Sequence, residues 1–135
     1  MSGETDLRTL LRTMRPELGD DIYVFATLPH GRTIPAGIDP VMVFREDKGL
    51  TLIVPESQAA AAGLNGIFPC RRVTLTVHSA LDAVGFMAAI ATRLAEAGIG
   101  VNPVAGFFHD HLFVPADRAV EAAEILRRLA AEADG

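Results

Sequence analysis

Residues 72–115 read RVTLTVHSALDAVGFMAAIATRLAEAGIGVNPVAGFFHDHLFVP. The alternation at residues 73–78 predicts a β-strand, because successive side chains of a strand point to opposite faces of a sheet. A short polar turn then leads into a helical run at residues 83–97. Two further strand-like segments, at residues 99–104 and 111–114, complete a predicted β-α-β-β unit.

The segments on either side of this unit also alternate between helix and strand patterns. An apolar stripe at helical spacing begins at Leu7, and Thr5 or Asp6 can cap that helix. The remaining patterns predict a strand at residues 22–28, a hairpin of strands at 41–45 and 50–54, a helix at 56–62, a strand at 68–77 and a last helix at 117–131. The sequence therefore predicts an α+β chain.

The composition is that of a globular protein with a packed core. The chain has 135 residues, 50% of them hydrophobic, and a formal net charge of −5. This acidic balance disfavours binding to nucleic acid or to an anionic membrane. Cys70 is the only cysteine, which excludes an internal disulfide and a cysteine-based metal site. Since no apolar signal core or membrane-length stretch is present, we expect a cytoplasmic protein.

No flexible linker divides the sequence into two domains. We predict a soft boundary near Ile67, with an N-terminal half at residues 1–66 and a C-terminal half at residues 67–135. The strand at residues 68–77 can belong to both halves. The loop at residues 29–40 contains several Pro and Gly residues and is long for a compact domain. It is either a functional lid or mobile segment, or a variable connection.

The predicted helix at residues 83–97 has more apolar surface than one sheet needs to cover. Its polar side chains past the first turn are Thr92, Arg93 and Glu96, which lie in one narrow stripe. We therefore expect a neighbouring helix, the other half of the chain or a second subunit to cover the rest of this helix.

The turn at residues 79–85 is the first candidate binding site. Backbone N–H groups of the first helical turn have no partner inside the helix, so a ligand carboxylate can dock there. Gly85 permits close approach of a ligand or of a neighbouring segment. The alternative is that Ser79 or Asp82 simply caps the helix.

Asn102 is the second candidate. It lies between Val101 and Pro103 in an apolar strand, where a buried amide requires hydrogen-bond partners. A ligand can supply those partners. The alternative is local pairing at the irregular backbone that Pro103 imposes on an edge strand.

The sequence His109-Asp110-His111 admits three interpretations. Two histidines at alternate positions can bind a metal, as a metal-dependent hydrolase would require. We favour a simple reversal of the chain, since these residue types tolerate turn geometry. In the third interpretation, His109 or His111 forms part of the rim of a ligand pocket. We predict no metal site.

The sequence lacks the motifs of common enzyme classes. It contains no Gly-x-Ser-x-Gly elbow, no Gly-rich phosphate loop and no His-Glu-x-x-His pair. Arg71 and Arg72 can lower the thiol pKa of the adjacent Cys70, but a lone cysteine entering a strand is usually a core residue. We therefore predict a protein that is not an enzyme and requires no cofactor.

Four strings in the sequence resemble the ACT domain, a βαββαβ module that binds amino acids in regulated metabolic enzymes. They are YVFATLP at residues 23–29, FREDKGLTLIVP at 44–55, HSALDAVGFMAAIATRLAEAGI at 78–99 and NPVAGFFHDHLFVP at 102–115. From residue 7 to residue 129 the chain resembles small free-standing bacterial proteins with tandem ACT-like domains, related to the ACT modules of eukaryotic arginine sensors.

The resemblance implies two ferredoxin-like βαββαβ halves, each with an antiparallel sheet and helices packed on one face. It also implies a small-molecule ligand, expected to be an amino acid, held between the turn and the facing strand. The residues expected to bind the ligand are Ser79, Ala80, Leu81, Asp82, Ala83, Val84, Gly85, Asn102 and Val104, with His109 at the rim of the pocket.

The resemblance further implies a regulatory homodimer without nucleic-acid or membrane partners. Ligand binding would favour one of two arrangements of the protein, and an effector protein would then recognise that arrangement. The sequence leaves one alternative function open, which is a ligand-free interaction module that uses the same fold to pair with itself or with another protein.

Overall fold

A computed structural model describes residues 3–134, and its elements follow the predicted order. They are α1 (Leu7–Thr13), β1 (Pro16–Leu18), β2 (Tyr23–Leu28), β3 (Met42–Glu46), β4 (Gly49–Pro55), α2 (Glu56–Ala61), β5 (Ile67–Leu75), α3 (Phe86–Glu96), β6 (Asn102–Ala105), β7 (Asp110–Pro115), a 3-10 turn (Ala116–Arg118) and α4 (Ala119–Asp134). Short β1 was not predicted. Among the described residues, no helix is long and apolar enough to span a membrane.

The chain forms two compact units. Of the described residues, 3–20 and 71–134 form one unit, which we call the cavity unit, and residues 21–70 form the other, the hairpin unit. These units do not coincide with the predicted halves at residues 1–66 and 67–135. The reason is that Leu10 and Met14 of α1 are fully buried in the same apolar core as residues of β5, β7 and α4.

The cavity unit packs three helices on strands. Strand β1 pairs antiparallel with β5, and the strand order continues from β5 to β7 and to β6, which pairs antiparallel with β7. Alternate residues of β5 and β7 point into the core, which also includes side chains from α1, α3 and α4. The largest fully buried side chains of this core are Leu10, Met14, Val73, Leu75, Ile90, Leu94, Leu112, Val114 and Leu126.

Helix α3 begins three residues later than predicted. Gly85 is its N-cap and has φ of 91°, a left-handed conformation that interrupts a helix and that favours glycine. Phe86, Ile90 and Leu94 form the buried face of the helix. Helices α1 and α4 contact α3, and Arg93 donates two hydrogen bonds to Glu132 of α4, at 2.8 and 2.9 Å. Neighbouring helices therefore cover part of the apolar surface that the sequence indicated.

The hairpin unit has the strand order β3-β4-β2-β5. Strand β4 pairs antiparallel with both β3 and β2, and helix α2 packs on β2 and β4. The loop at residues 29–40 packs on this unit through Ile34 and Ile38, and the Asp39 amide donates to Gln58 Oε1 at 2.7 Å. These contacts hold the loop on the surface of its own unit.

Cys70 lies in the hairpin unit and is completely buried, which confirms its prediction as a core residue. Its thiol donates to the carbonyl oxygen of Tyr23 at 3.4 Å. Burial disfavours the thiolate and raises the pKa of Cys70 to about 12. The adjacent arginines therefore do not activate this thiol.

Candidate ligand-binding site

A cavity of about 270 Å³ opens in the cavity unit beside the start of α3. The turn before α3, the first residues of α3 and the β6–β7 hairpin form its walls. The lining residues are Ser79, Ala80, Leu81, Ala83, Phe86, Met87, Pro103, Ala105 and Asp110. The volume lies just below the roughly 300 Å³ at which sites for drug-sized ligands begin, so it suits a smaller metabolite.

The turn is fixed by hydrogen bonds on two sides. The Ser79 side chain is only 8% exposed, and its hydroxyl donates to Asp110 Oδ2 at 3.1 Å. On the other side, Glu4 donates its amide to the His78 carbonyl and accepts from the Ala80 amide, both at 2.8 Å. The turn is therefore held in place before any ligand binds, which lowers the entropic cost of binding.

The first turn of α3 has no side-chain cap. Its N-cap is Gly85, and no side-chain hydrogen bond is made there. Because the Ser79 hydroxyl is directed to Asp110, the capping role considered for Ser79 or Asp82 is wrong. The N–H groups at the start of this helix are partially positive, and Phe86 and Met87 of the same turn line the cavity.

The predicted turn residues divide into two groups. Ser79, Ala80, Leu81 and Ala83 line the cavity. Asp82 and Val84 are exposed, and Val84 retains 83% of its accessible surface. Gly85 approaches α1, because a Cβ added to it would lie 3.4 Å from Leu7 Cδ2.

Asn102 and Val104 lie on the other face of the sheet from the cavity. Within β6 it is Pro103 and Ala105 that line the cavity, and alternate residues of a strand point to opposite faces. Asn102 is also exposed rather than buried. The strand was identified from the sequence, but Pro103 and Ala105 of that strand line the cavity, where Asn102 and Val104 were expected. Pro103 does lie on an edge strand, as predicted.

The two histidines of the 109–111 segment have separate partners. His109 Nδ1 lies 3.4 Å from the Val77 carbonyl oxygen, and His111 Nδ1 lies 3.0 Å from Thr74 Oγ1. Neither histidine lines the cavity. In residues 3–134, no group of three His, Cys, Asp or Glu side chains is arranged to hold a metal ion.

His111 should make folding stability depend on pH. Burial, followed by the charges of Arg72 and His109, lowers the pKa of His111 below its usual value of 6.5. The unfolded chain then binds more protons, so this contribution to stability is complete above pH 6.5 and is lost as the pH falls below it. We expect His111→Asn to lose less free energy of unfolding than wild type between about pH 7.5 and about pH 5.

Urea denaturation at the two pH values measures this difference. Thr92→Asn is the control, since Thr92 is an exposed residue of α3 whose side chain does not titrate, and it should keep the wild-type dependence. Equal pH dependence in wild type and His111→Asn would contradict the assignment.

Asp110 is the one charged residue among the cavity residues that sequence reasoning missed, the others being Phe86, Met87, Pro103 and Ala105. It was treated as part of a turn, but it is the first residue of β7 and pairs with Ala105 of β6. The sequence contained a signal for this placement, because residues 110, 112 and 114 lie on the same face of a strand. The side chains of Leu112 and Val114 point into the core. A carboxylate at that position faces the helices at the end of the sheet.

Two models of the ACT domain match the chain, one over residues 2–71 and the other over residues 68–128. The chain belongs to the ACT domain family. This confirms the resemblance found in the four sequence strings. ACT domains are regulatory modules that generally bind small molecules such as amino acids and often oligomerise. No curated protein matches the chain.

Solved structures share the fold of the chain. A protein of unknown function from Vibrio cholerae, described as a possible transport protein, is 43% identical with a TM-score of 0.84, and the match covers 96% of this chain and 99% of that one. A protein from Agrobacterium tumefaciens is 22% identical, with a TM-score of 0.74 and coverage of 87% and 89%.

The regulatory subunit of aspartate kinase from Thermus thermophilus shares the fold at 14% identity. Its TM-score is 0.65, and the match covers 88% of this chain and 97% of that subunit. The predicted α+β fold of ferredoxin-like ACT type is therefore confirmed.

Proposed function

We propose that this ACT protein is a regulatory module that binds an amino acid in the cavity beside α3. The observation that carries the proposal is one small cavity that combines the uncapped start of α3 with the carboxylate of Asp110. An amino acid is a zwitterion, so its two opposite charges match the start of α3 and the Asp110 carboxylate. Its carboxylate would accept hydrogen bonds from the backbone at the helix start, and its ammonium group would donate to Asp110.

In this proposal the binding residues are those of the predicted turn, with Asp110 in place of Asn102 and Val104. Ser79 orients the Asp110 carboxylate through its hydroxyl, and Leu81 and Ala83 contribute cavity wall. Asp82, Val84 and His109 do not line the cavity and would act at its rim.

The regulatory step would be a shift between two arrangements of the cavity unit. A ligand held between α3 and Asp110 joins the helix to the β6–β7 hairpin and favours the arrangement in which both contacts form. An effector protein that recognises this arrangement would then bind more tightly when the ligand is present. The effector would be reached by direct contact with surface residues, and no catalytic step is part of the proposal.

The proposal includes a homodimer formed along strand β3. This strand lies at the edge of the hairpin unit, and Val43 and Phe44 are 46% and 61% exposed. Edge strands present unpaired N–H and C=O groups that favour pairing with another chain. Strand β6 also lies at an edge, but it contains Pro103 and lacks one of the donors that such pairing needs.

Light scattering of the purified protein tests the dimer. Wild type should have twice the mass of one chain, and Val43→Lys should have the mass of a single chain because charges on an edge strand oppose pairing. Val120→Lys, a change at an exposed site on α4, is the control and should remain dimeric. A wild-type protein that is monomeric at high concentration would overturn this part of the proposal.

Thermal melts against the common amino acids, each at millimolar concentration, test the ligand. A ligand present at about one hundred times its dissociation constant stabilises the folded state by about 2.7 kcal/mol, which raises the melting temperature by several degrees. One amino acid or one chemical group of amino acids should give this shift. No shift with any of them would favour the ligand-free interaction module, for which the exposed pair Phe107 and Phe108 offers a contact surface.

A further inference from the structure

The cavity contains a single ionisable side chain. Of its nine lining residues, only Asp110 carries a charge, and Ser79 is the one other residue with a polar side chain. Asp110 is partly buried, and one of its carboxylate oxygens already accepts from Ser79. An ionised carboxylate accepts several hydrogen bonds, so capacity remains for the donors of a ligand ammonium group.

The positive charges nearby are not directed into the cavity. Arg72 and Val73 are consecutive residues of β5, so their side chains point to opposite faces of the sheet. The Val73 side chain points into the helix-covered core, and Arg72 therefore lies on the other face. His111 lies on that other face as well and bonds to Thr74, while the ring of His109 faces the Val77 carbonyl. A carboxylate on a ligand side chain would therefore meet no cation among the lining residues.

The rest of the lining is apolar or small. Phe86, Met87 and Pro103 provide apolar surface, and three alanines, at positions 80, 83 and 105, leave the space between them open. Apolar surface removed from water by such a wall favours binding. A charged group placed against the same wall loses its hydration without a compensating partner.

From this lining we infer that the cavity selects an α-amino acid with an uncharged aliphatic side chain, whose ammonium group pairs with Asp110. The inference rests on the proposed function and names its ligand class. The single carboxylate can neutralise one ammonium group, so a second ammonium or guanidinium on the ligand side chain would have no partner among the lining residues. The small volume of about 270 Å³ favours side chains of the size of valine, leucine, isoleucine or methionine.

Isothermal titration calorimetry of the full chain tests the selection. L-leucine, L-isoleucine, L-valine and L-methionine are compared with L-aspartate, L-glutamate, L-lysine and L-arginine. At least one aliphatic amino acid should bind at least tenfold more tightly than each charged one. N-acetyl-L-leucine, which lacks the ammonium group, and 3-methylbutylamine, which lacks the carboxylate, should both bind at least tenfold more weakly than L-leucine.

Asp110→Asn tests whether Asp110 pairs with the ligand ammonium group, because asparagine has nearly the same shape and can still accept the Ser79 hydrogen bond. It should weaken binding of the aliphatic amino acid at least tenfold. Asp117→Asn is the matched control, since Asp117 is exposed in the 3-10 turn and outside the cavity lining, and it should bind as wild type does. Circular dichroism melts without ligand verify that both variants are folded.

The outcomes separate this inference from the proposed function. If the tightest ligand is an acidic or basic amino acid and Asp110→Asn weakens it, the aliphatic selection is overturned while the proposed function stands. If an aliphatic amino acid binds equally well to wild type and to Asp110→Asn, the assignment of the ammonium group to Asp110 is overturned. If no amino acid binds, the proposed function fails and this inference fails with it.

Discussion

Replacing Ala105 with tryptophan should weaken amino-acid binding at least a hundredfold, a loss of about 2.7 kcal/mol in binding free energy. Ala105 lines the cavity from β6, at the position that pairs with Asp110. Its side chain is exposed at the cavity and does not belong to the packed core, so an indole ring there would occupy ligand volume without displacing core residues.

Asn102→Trp is the control for this change. Asn102 is an exposed residue of the same strand, and the alternation of β6 places its side chain on the face away from the cavity. Calorimetric titration should give wild-type affinity for Asn102→Trp and severe loss for Ala105→Trp, while both melt close to the wild-type temperature. The reverse pattern would restore Asn102 as a ligand contact and would mean that the ligand binds on the opposite face of the sheet.

Replacing Leu10 with alanine should lower the free energy of unfolding by about 2–5 kcal/mol. Leu10 is fully buried in the core of the cavity unit, and its removal would leave space that rigid neighbours from the strands and helices cannot fill completely. A loss of this size requires α1 to be an integral part of that unit, although 53 residues of sequence, 14–66, separate α1 from β5.

Urea denaturation measures the effect, and Val120→Ala is the control. Val120 is 65% exposed on α4, so its truncation should change the free energy of unfolding by no more than about 0.5 kcal/mol. If Leu10→Ala unfolds at the same urea concentration as Val120→Ala, α1 does not contribute to the core and the described composition of the cavity unit is wrong.

Most elements could be predicted from local pattern alone. The aromatic and β-branched run Tyr23–Leu28 is a strong strand signal, and α4 is a strong helix signal because its buried residues form one stripe at helical spacing. The start of α3 could not be located in this way, since Ala83 and Val84 fit a helix equally well. The left-handed backbone at Gly85 determines that boundary, and glycine alone does not reveal which conformation it adopts.

Only one of the walls of the candidate site, the turn at residues 79–85, could be predicted from the sequence. The turn at residues 79–85 was identified because a strand end followed by a helix start has a recognisable pattern. The partner of that turn was assigned to Asn102, whereas Asp110 faces the cavity, because the choice depends on how β6 pairs with β7. The grouping of residues 3–20 with 71–134 likewise depends on packing between segments distant in sequence, which no local pattern reports.

An NMR titration with an aliphatic amino acid tests the central claim most directly. In the ¹⁵N-labelled protein, addition of L-leucine should produce the largest amide shift changes at residues 79–87 and 105–110, which surround the cavity. The changes should saturate as expected for a single site. Saturable changes concentrated instead in residues 42–54 of the hairpin unit, or no changes with any amino acid, would contradict the account.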